Sequence, residues 1–277
     1  MTDPFVSTAW LAEHLDKVQV VDATWFLPGE GVGRESYAAA HIPGAVFFDI
    51  DEVADRSTGL PHMLPSPEAF ARAAGALGLT RERPIVVYDA QGVFSAPRVW
   101  WTLRAMGFPP PRVLDGGLKK WRAEGRPVET GAVSPPASVV EPRREPALVR
   151  DLEAVRELLA GAAAQLVDAR PAPRFRGEAP EPRPGLRSGH MPGARNVPFG
   201  GLVNPDGTFK SQAELAEAFR NAGVDLDRPI VTTCGSGVTA AGVALALARL
   251  GRDDVPVYDG SWAEWGGRSD TEVVTGA

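Results

Sequence analysis

The sequence predicts an α/β protein of two tandem domains, each a mainly parallel sheet flanked by helices. Two observations carry this. One unit is written twice along the 277 residues, and within each copy short apolar strands alternate with amphipathic helical stretches. VVDAT at 20–24 returns as LVDAR at 166–170, and HIPGAVFFD at 41–49 as HMPGARNVP at 190–198. RPIVVYDAQG at 83–92 returns as RPIVTTCGSG at 228–237, and VLDGGLKKW at 113–121 as VYDGSWAEW at 257–265. The offset is 149 residues at the His block (41 to 190), 145 at RPIV (83 to 228) and 144 at DGG/DGS (115 to 259). A period this long means two similar domains rather than a solenoid.

In the second copy, DLEAVRELL (151–159) has a helical apolar period and QLVDAR reads as a short buried strand. SQAELAEAFRNAG (211–223) opens on a capping box of Ser211 and Glu214 and stops at Gly223. PIVTTC is a β-branched strand, VTAAGVALALARLG a helix and VPVYDG a last strand. SPEAFARAAGALG, PIVVYDA, SAPRVWWTLRAMG and RVLDGG repeat that order in the first copy. Between the copies, GAVSPPASVVEPRREP (131–146) has four prolines and no periodicity, as an extended linker would. The expected division is a first domain over 1–130, a linker over 131–147 and a second domain over 148–277.

Composition narrows the function. The start MTDPFVSTAW has no basic segment followed by an apolar run, and no stretch approaches the ~18 apolar residues of a membrane span. A cytoplasmic protein without membrane attachment is expected. The net charge of −6 argues against nucleic acid as a partner. A single cysteine, Cys234, can form no internal disulfide and no multi-cysteine metal site.

That cysteine ends the strand PIVTTC and precedes GSGVT at the start of a helix. Ligands of open α/β sheets bind at the carboxyl ends of strands. Gly235 and Gly237 let the backbone curl so that the amides from Gly235 through Ser236, Gly237 and Val238 to Thr239 converge, and the helix N-terminus adds positive potential. A sulfur there is stabilised as an anion. The alternative is an inert buried cysteine. A phosphatase-type loop would carry an arginine six positions after the cysteine; Ala240 stands there.

CGSGVTA, the paired HIPGA and HMPGA blocks and the duplicated plan resemble the rhodanese superfamily, and within it the tandem-domain 3-mercaptopyruvate sulfurtransferases, over nearly the whole chain. The resemblance implies two rhodanese-like domains. The first is catalytically silent, with Asp89 at the place of Cys234. The second forms a persulfide on Cys234. Thiosulfate-using relatives usually have basic residues directly after the cysteine, whereas Gly235 and Ser236 follow here. The implied reaction is sulfur transfer from 3-mercaptopyruvate to a small thiol, cyanide or thioredoxin-like acceptor, with pyruvate released and no metal or organic cofactor. A thiosulfate sulfurtransferase is the alternative within the class, and a thiol redox-sensing or binding module the alternative outside it.

RFRG followed by PEPR resembles the family's substrate-binding segment, which makes Arg174 and Arg183 ligands of the substrate's carboxylate and ketone oxygen. Arg176 and Arg187 carry no such assignment. Asp51 and His62 resemble positions that join Ser236 in a Ser–His–Asp relay; on residue type alone, Asp51 could instead cap a helix and His62 sit in a loop. Trp25 resembles a pocket residue, with core packing as the alternative, and Trp100 and Trp101 read as packing residues. Phe94 stands where the family commonly has tyrosine, so any hydrogen bond from that hydroxyl is missing. His41 and His190 occur in both copies while the cysteine occurs in one, which points to a structural role.

Overall fold

The computed structural model describes residues 3–161 and 163–276. They form two compact units. The first comprises the chain up to Asp55, Leu64–Glu145 and Val203–Phe209; the second comprises Arg56–Met63, Pro146–Leu202 and the chain from Lys210 on. Each unit thus includes one short segment from the other half of the sequence.

The first unit holds a parallel sheet of β1 (Phe5–Val6), β2 (Gln19–Asp22), β3 (Val46–Phe47), β4 (Ile85–Tyr88) and β5 (Arg112–Leu114), in the order β1-β5-β4-β2-β3. The second repeats it with β6 (Val149–Arg150), β7 (Gln165–Asp168), β8 (Arg195–Asn196), β9 (Ile230–Thr233) and β10 (Val257–Tyr258), in the order β6-β10-β9-β7-β8. The central strands are buried along their length, as IVVY and IVTT require when helices cover both faces. Register fixes the equivalence of the copies: Asp22 pairs with Tyr88 in one and Asp168 with Thr233 in the other. The residues after them, Asp89 and Cys234, therefore leave equivalent strand ends.

The cores use matching positions. Val20, Ile42, Leu118 and Trp121 pack together in the first unit; Leu166, Met191, Trp262 and Trp265 do so in the second. Helix Gln212–Asn221 starts on the expected capping box of Ser211 and Glu214. Trp100 and Trp101, on helix Ala96–Ala105, are buried. His41 and His190 do the same structural job. Each pairs its backbone antiparallel to a late segment, at Glu129 and Val274, and bonds through Nδ1 to a carbonyl, of Tyr37 at 2.9 Å and of Phe175 at 2.9 Å.

The linker stretch is irregular but anchored to the first unit: Ser138 N donates to Gly75 O at 2.9 Å and Glu145 N to Ala105 O at 2.8 Å. Among the described residues, no helix is long and apolar enough to cross a membrane.

One difference between the copies has a stability consequence. Buried Asp168 is paired with Arg170 at 2.7 Å, whereas the matching Asp22 has Thr24 two residues on. Asp22 Oδ1 accepts from Thr24 N at 2.8 Å, but Oδ2 has no partner among the described residues. Burial pushes the Asp22 carboxyl up to about 6, against the hydrogen bonds from Thr24 and the interaction with the Tyr88 hydroxyl, and Asp89 adds to the rise. A raised acid stabilises the fold below its ordinary value near 3.8 and loses that contribution as pH climbs through about 6. Asp22→Asn should therefore raise unfolding free energy by about 3 kcal/mol at pH 7 and by little at pH 4; denaturant melts at both pH values check this.

Candidate active site

β9 ends at Thr233, Cys234 follows, and helix Val238–Arg249 begins four residues later. So short a turn is possible because Gly237, the residue before the helix, has φ 81°, a left-handed conformation that costs a Cβ-bearing residue steric energy. The turn aims the Gly237 amide at the thiol: Gly237 N donates to Cys234 Sγ at 3.2 Å. The helix N-terminus lies behind it. Cys234 is 2% exposed.

The turn is held from a second side. Ser261 has φ 51°, unusual for a residue with a side chain, and its hydroxyl donates to Tyr258 O at 2.8 Å while accepting from Cys234 N at 3.3 Å. Trp262 N and Ala263 N donate to the carbonyls of Cys234 and Gly235, each at 2.9 Å. In the first unit Ser261 is matched by Gly117, with φ 54°; a Cβ there would lie 2.4 Å from the Asp89 carbonyl oxygen.

The first unit exposes what such a loop binds. Asp89 Oδ2 accepts from the amides of Phe94 at 2.7 Å, Ser95 at 2.9 Å and Ala96 at 2.9 Å, and Oδ1 from Gln91 at 2.9 Å. Burial raises this carboxyl, and those amide bonds oppose the rise. A strand-to-helix turn of this fold thus gathers backbone N–H groups on one acceptor, here the chain's own Asp89 carboxyl.

Arg174, on helix Ala172–Phe175, reaches the Cys234 loop: a Cβ on Gly235 would sit 3.1 Å from its Nη2. Its side chain is 23% exposed, and it is paired with buried Glu181. Arg183 is half-buried in the turn that follows Glu181. Arg176 pairs with Glu178 at the surface, and Arg187 bonds the carbonyls of Trp265, Gly266 and Thr271, a structural role.

His62 belongs to the second unit although the first repeat encodes it. It is buried, at φ 61°, with Nδ1 3.0 Å from Ser236 Oγ. Two members of the expected relay therefore meet. Asp51 and Trp25 lie in the first unit, where Trp25 Nε1 donates to Asp51 Oδ2 at 2.8 Å. The residue that caps helix Ile50–Val53 is Asp49, so Asp51 is not its cap. The Trp25 and Phe94 rings stack with centroids 6.4 Å apart.

Ser261, Trp262, Arg170 and Glu181 were not singled out from sequence. For the first two a signal existed, since DGSW replaces DGGL at the repeat; Glu181 had none. Among the described residues, no cluster of His, Cys, Asp and Glu is placed to hold a metal ion.

Comparison with known proteins matches this geometry to a family. The model of the rhodanese-like domain fits residues 7–124 and again 151–268. The chain belongs to the rhodanese family. Its two rhodanese domains are 47% identical over 274 residues to the 3-mercaptopyruvate sulfurtransferase of Escherichia coli K12, covering 97% of each chain. The solved structure of the 3-mercaptopyruvate sulfotransferase SseA from E. coli superposes with a TM-score of 0.87 at 44% identity, covering 94% of this chain and 99% of that one. A thiosulfate sulfurtransferase of Cricetulus griseus is 42% identical over 269 residues, covering 94% of this chain and 91% of its own. Both rhodanese donor types thus occur among the relatives.

Gly237→Ala should cost about 1–2 kcal/mol, because alanine resists the left-handed conformation, and should slow alkylation of Cys234 by moving the amide off the sulfur. Thermal unfolding and iodoacetamide kinetics check the two effects.

Proposed function

We propose that this chain is a sulfurtransferase that takes sulfur from 3-mercaptopyruvate, carries it on Cys234 as a persulfide and passes it to a thiol or cyanide, releasing pyruvate. The observation that carries the reading is the position of Cys234 Sγ against the Gly237 amide, with the Arg174 guanidinium beside the same loop.

The donor's carboxylate and ketone oxygen are bound by Arg174 and Arg183, with Trp25 a further pocket residue. The Cys234 thiolate attacks the donor's sulfur, forming an S–S bond. The C–S bond breaks, and its electron pair leaves with the carbon as pyruvate enolate, which takes a proton to give pyruvate. Ser236, bonded to His62, is the proton carrier, and the resemblance adds Asp51 to that relay. The outer sulfur rests on the amides of Gly235 to Thr239, as the Asp89 carboxylate rests on those of its own loop. An acceptor thiolate or cyanide then takes the outer sulfur and Cys234 leaves as thiolate, which predicts ping-pong kinetics. Residues 1–130 form the silent domain, 131–147 the linker and 148–277 the catalytic domain. A small thiol or a thioredoxin-like protein serves as acceptor, and a reducing compartment such as the cytoplasm keeps the lone thiol available.

Two features favour mercaptopyruvate over thiosulfate: the neutral Gly235–Ser236 pair, and an arginine fork matched to a planar carboxylate. A thiol sensor would need no such fork.

The test is kcat/KM for both donors. Mercaptopyruvate should be preferred, Cys234→Ser should abolish turnover, and Arg174→Ala with Arg183→Ala should lower kcat/KM roughly 100-fold or more. Preference for thiosulfate would overturn the donor, and full activity of the double variant the arginine assignment.

A further inference from the structure

We infer that Glu181 is the positioning residue of the donor site: it clamps one edge of Arg174 so that the other edge faces the substrate. The inference rests on the mercaptopyruvate reading above and assigns a role to a residue outside the cysteine loop and the proton relay.

Glu181 lies in an irregular turn, yet its side chain is 1% exposed. A carboxylate so buried must be compensated. Oε1 accepts from Arg170 Nη1 at 2.8 Å and from Arg174 Nε at 3.3 Å, and Oε2 accepts from Arg174 Nη2. Arg170 is itself 1% exposed and is fixed by Asp168 through Nε and Nη2 and by the Gly189 carbonyl at 2.9 Å. Its guanidinium lies over the Trp262 ring, 4.2 Å from the centroid, and the Trp262 amide holds the Cys234 carbonyl. Burial works against the charge of Arg170, but the Asp168 and Glu181 carboxylates outweigh it and raise its pKa. Asp168, Arg170, Glu181 and Arg174 thus alternate in sign, and three of the four are buried.

Geometry decides what this chain of charges does. A guanidinium offers two forked edges, Nε/Nη2 and Nη1/Nη2. Glu181 takes the first. Nη1 and the second N–H of Nη2 remain, and Nη1 makes no bond to any described protein group. That free fork suits a carboxylate, and Nη2 already stands beside Gly235. Holding it in advance removes the cost of ordering a long side chain when the donor binds. Glu181 also precedes Arg183 by two residues, so the same buried anchor carries the turn from which the second arginine acts.

A residue that only supports the fold would weaken both half-reactions together; one that orients the donor's ligand weakens donor binding alone. Glu181→Gln keeps the shape and removes the charge. In the full chain it should raise KM for 3-mercaptopyruvate roughly 10- to 100-fold with little change in kcat. Release of thiocyanate to cyanide from enzyme preloaded by polysulfide should keep the wild-type rate. Combined with Arg174→Ala, it should add little further loss in kcat/KM. Should Glu181→Gln fail to fold, Glu181→Asp, which withdraws the charge by one methylene, should show the same KM-only effect. A wild-type KM in the folded variant, equal loss in both half-reactions, or additivity with Arg174→Ala would overturn the inference. Wild-type protein that turns over no mercaptopyruvate would instead overturn the donor reading, and this inference with it.

Discussion

The site depends on how a parallel strand hands over to a helix. At the end of β9 the chain has four residues, Cys234 to Gly237, in which to reverse from extended to helical, and Gly237 makes this possible by adopting φ 81°. The consequence is electrostatic. The same turn that solves the backbone problem directs an amide and a helix N-terminus at whatever side chain leaves the strand. In one domain that side chain is a carboxylate, saturated by four amides; in the other it is a thiol. The two domains thus differ in which side chain occupies the turn, with sheet order unchanged.

Around this turn the second domain adds what the first lacks. Arg170 stands where the first has Thr24, which turns an unpaired buried aspartate into the start of a charge network leading to Arg174. Ser261 stands where the first has Gly117, so a hydroxyl joins the Cys234 amide. His62 reaches Ser236 from a segment that the first repeat encodes but the second unit incorporates. Each addition brings a polar group to the loop from a different element. A site assembled in that way loses precision when any one support is removed.

Much of this was legible in the sequence, for a physical reason. The repeated blocks are the stretches where a buried parallel strand, a strand-to-helix turn and a core tryptophan constrain residue type, so β4, β5, β7, β9 and β10 and the longer helices were visible, as were the place of Cys234 and its Asp89 counterpart. Strands β1, β3, β6 and β8 have two residues each and can show no period. Helix Ser261–Trp265, of five residues, is too short for amphipathic patterning. That His62 meets Ser236, 174 positions away, was suggested by family resemblance alone. Glu181 gave no sign, because its importance comes from burial in an irregular turn and from two arginines that reach it.

The central claim is that donor sulfur is held covalently on Cys234 before any acceptor arrives. Its most direct test is the intact mass of the protein after brief exposure to 3-mercaptopyruvate without acceptor, with peptide mapping of the product and pyruvate measured in parallel. The account predicts a gain of one sulfur atom per chain, located on Cys234, matched by one pyruvate and lost on addition of cyanide. Pyruvate formed with no sulfur retained on Cys234 would contradict it.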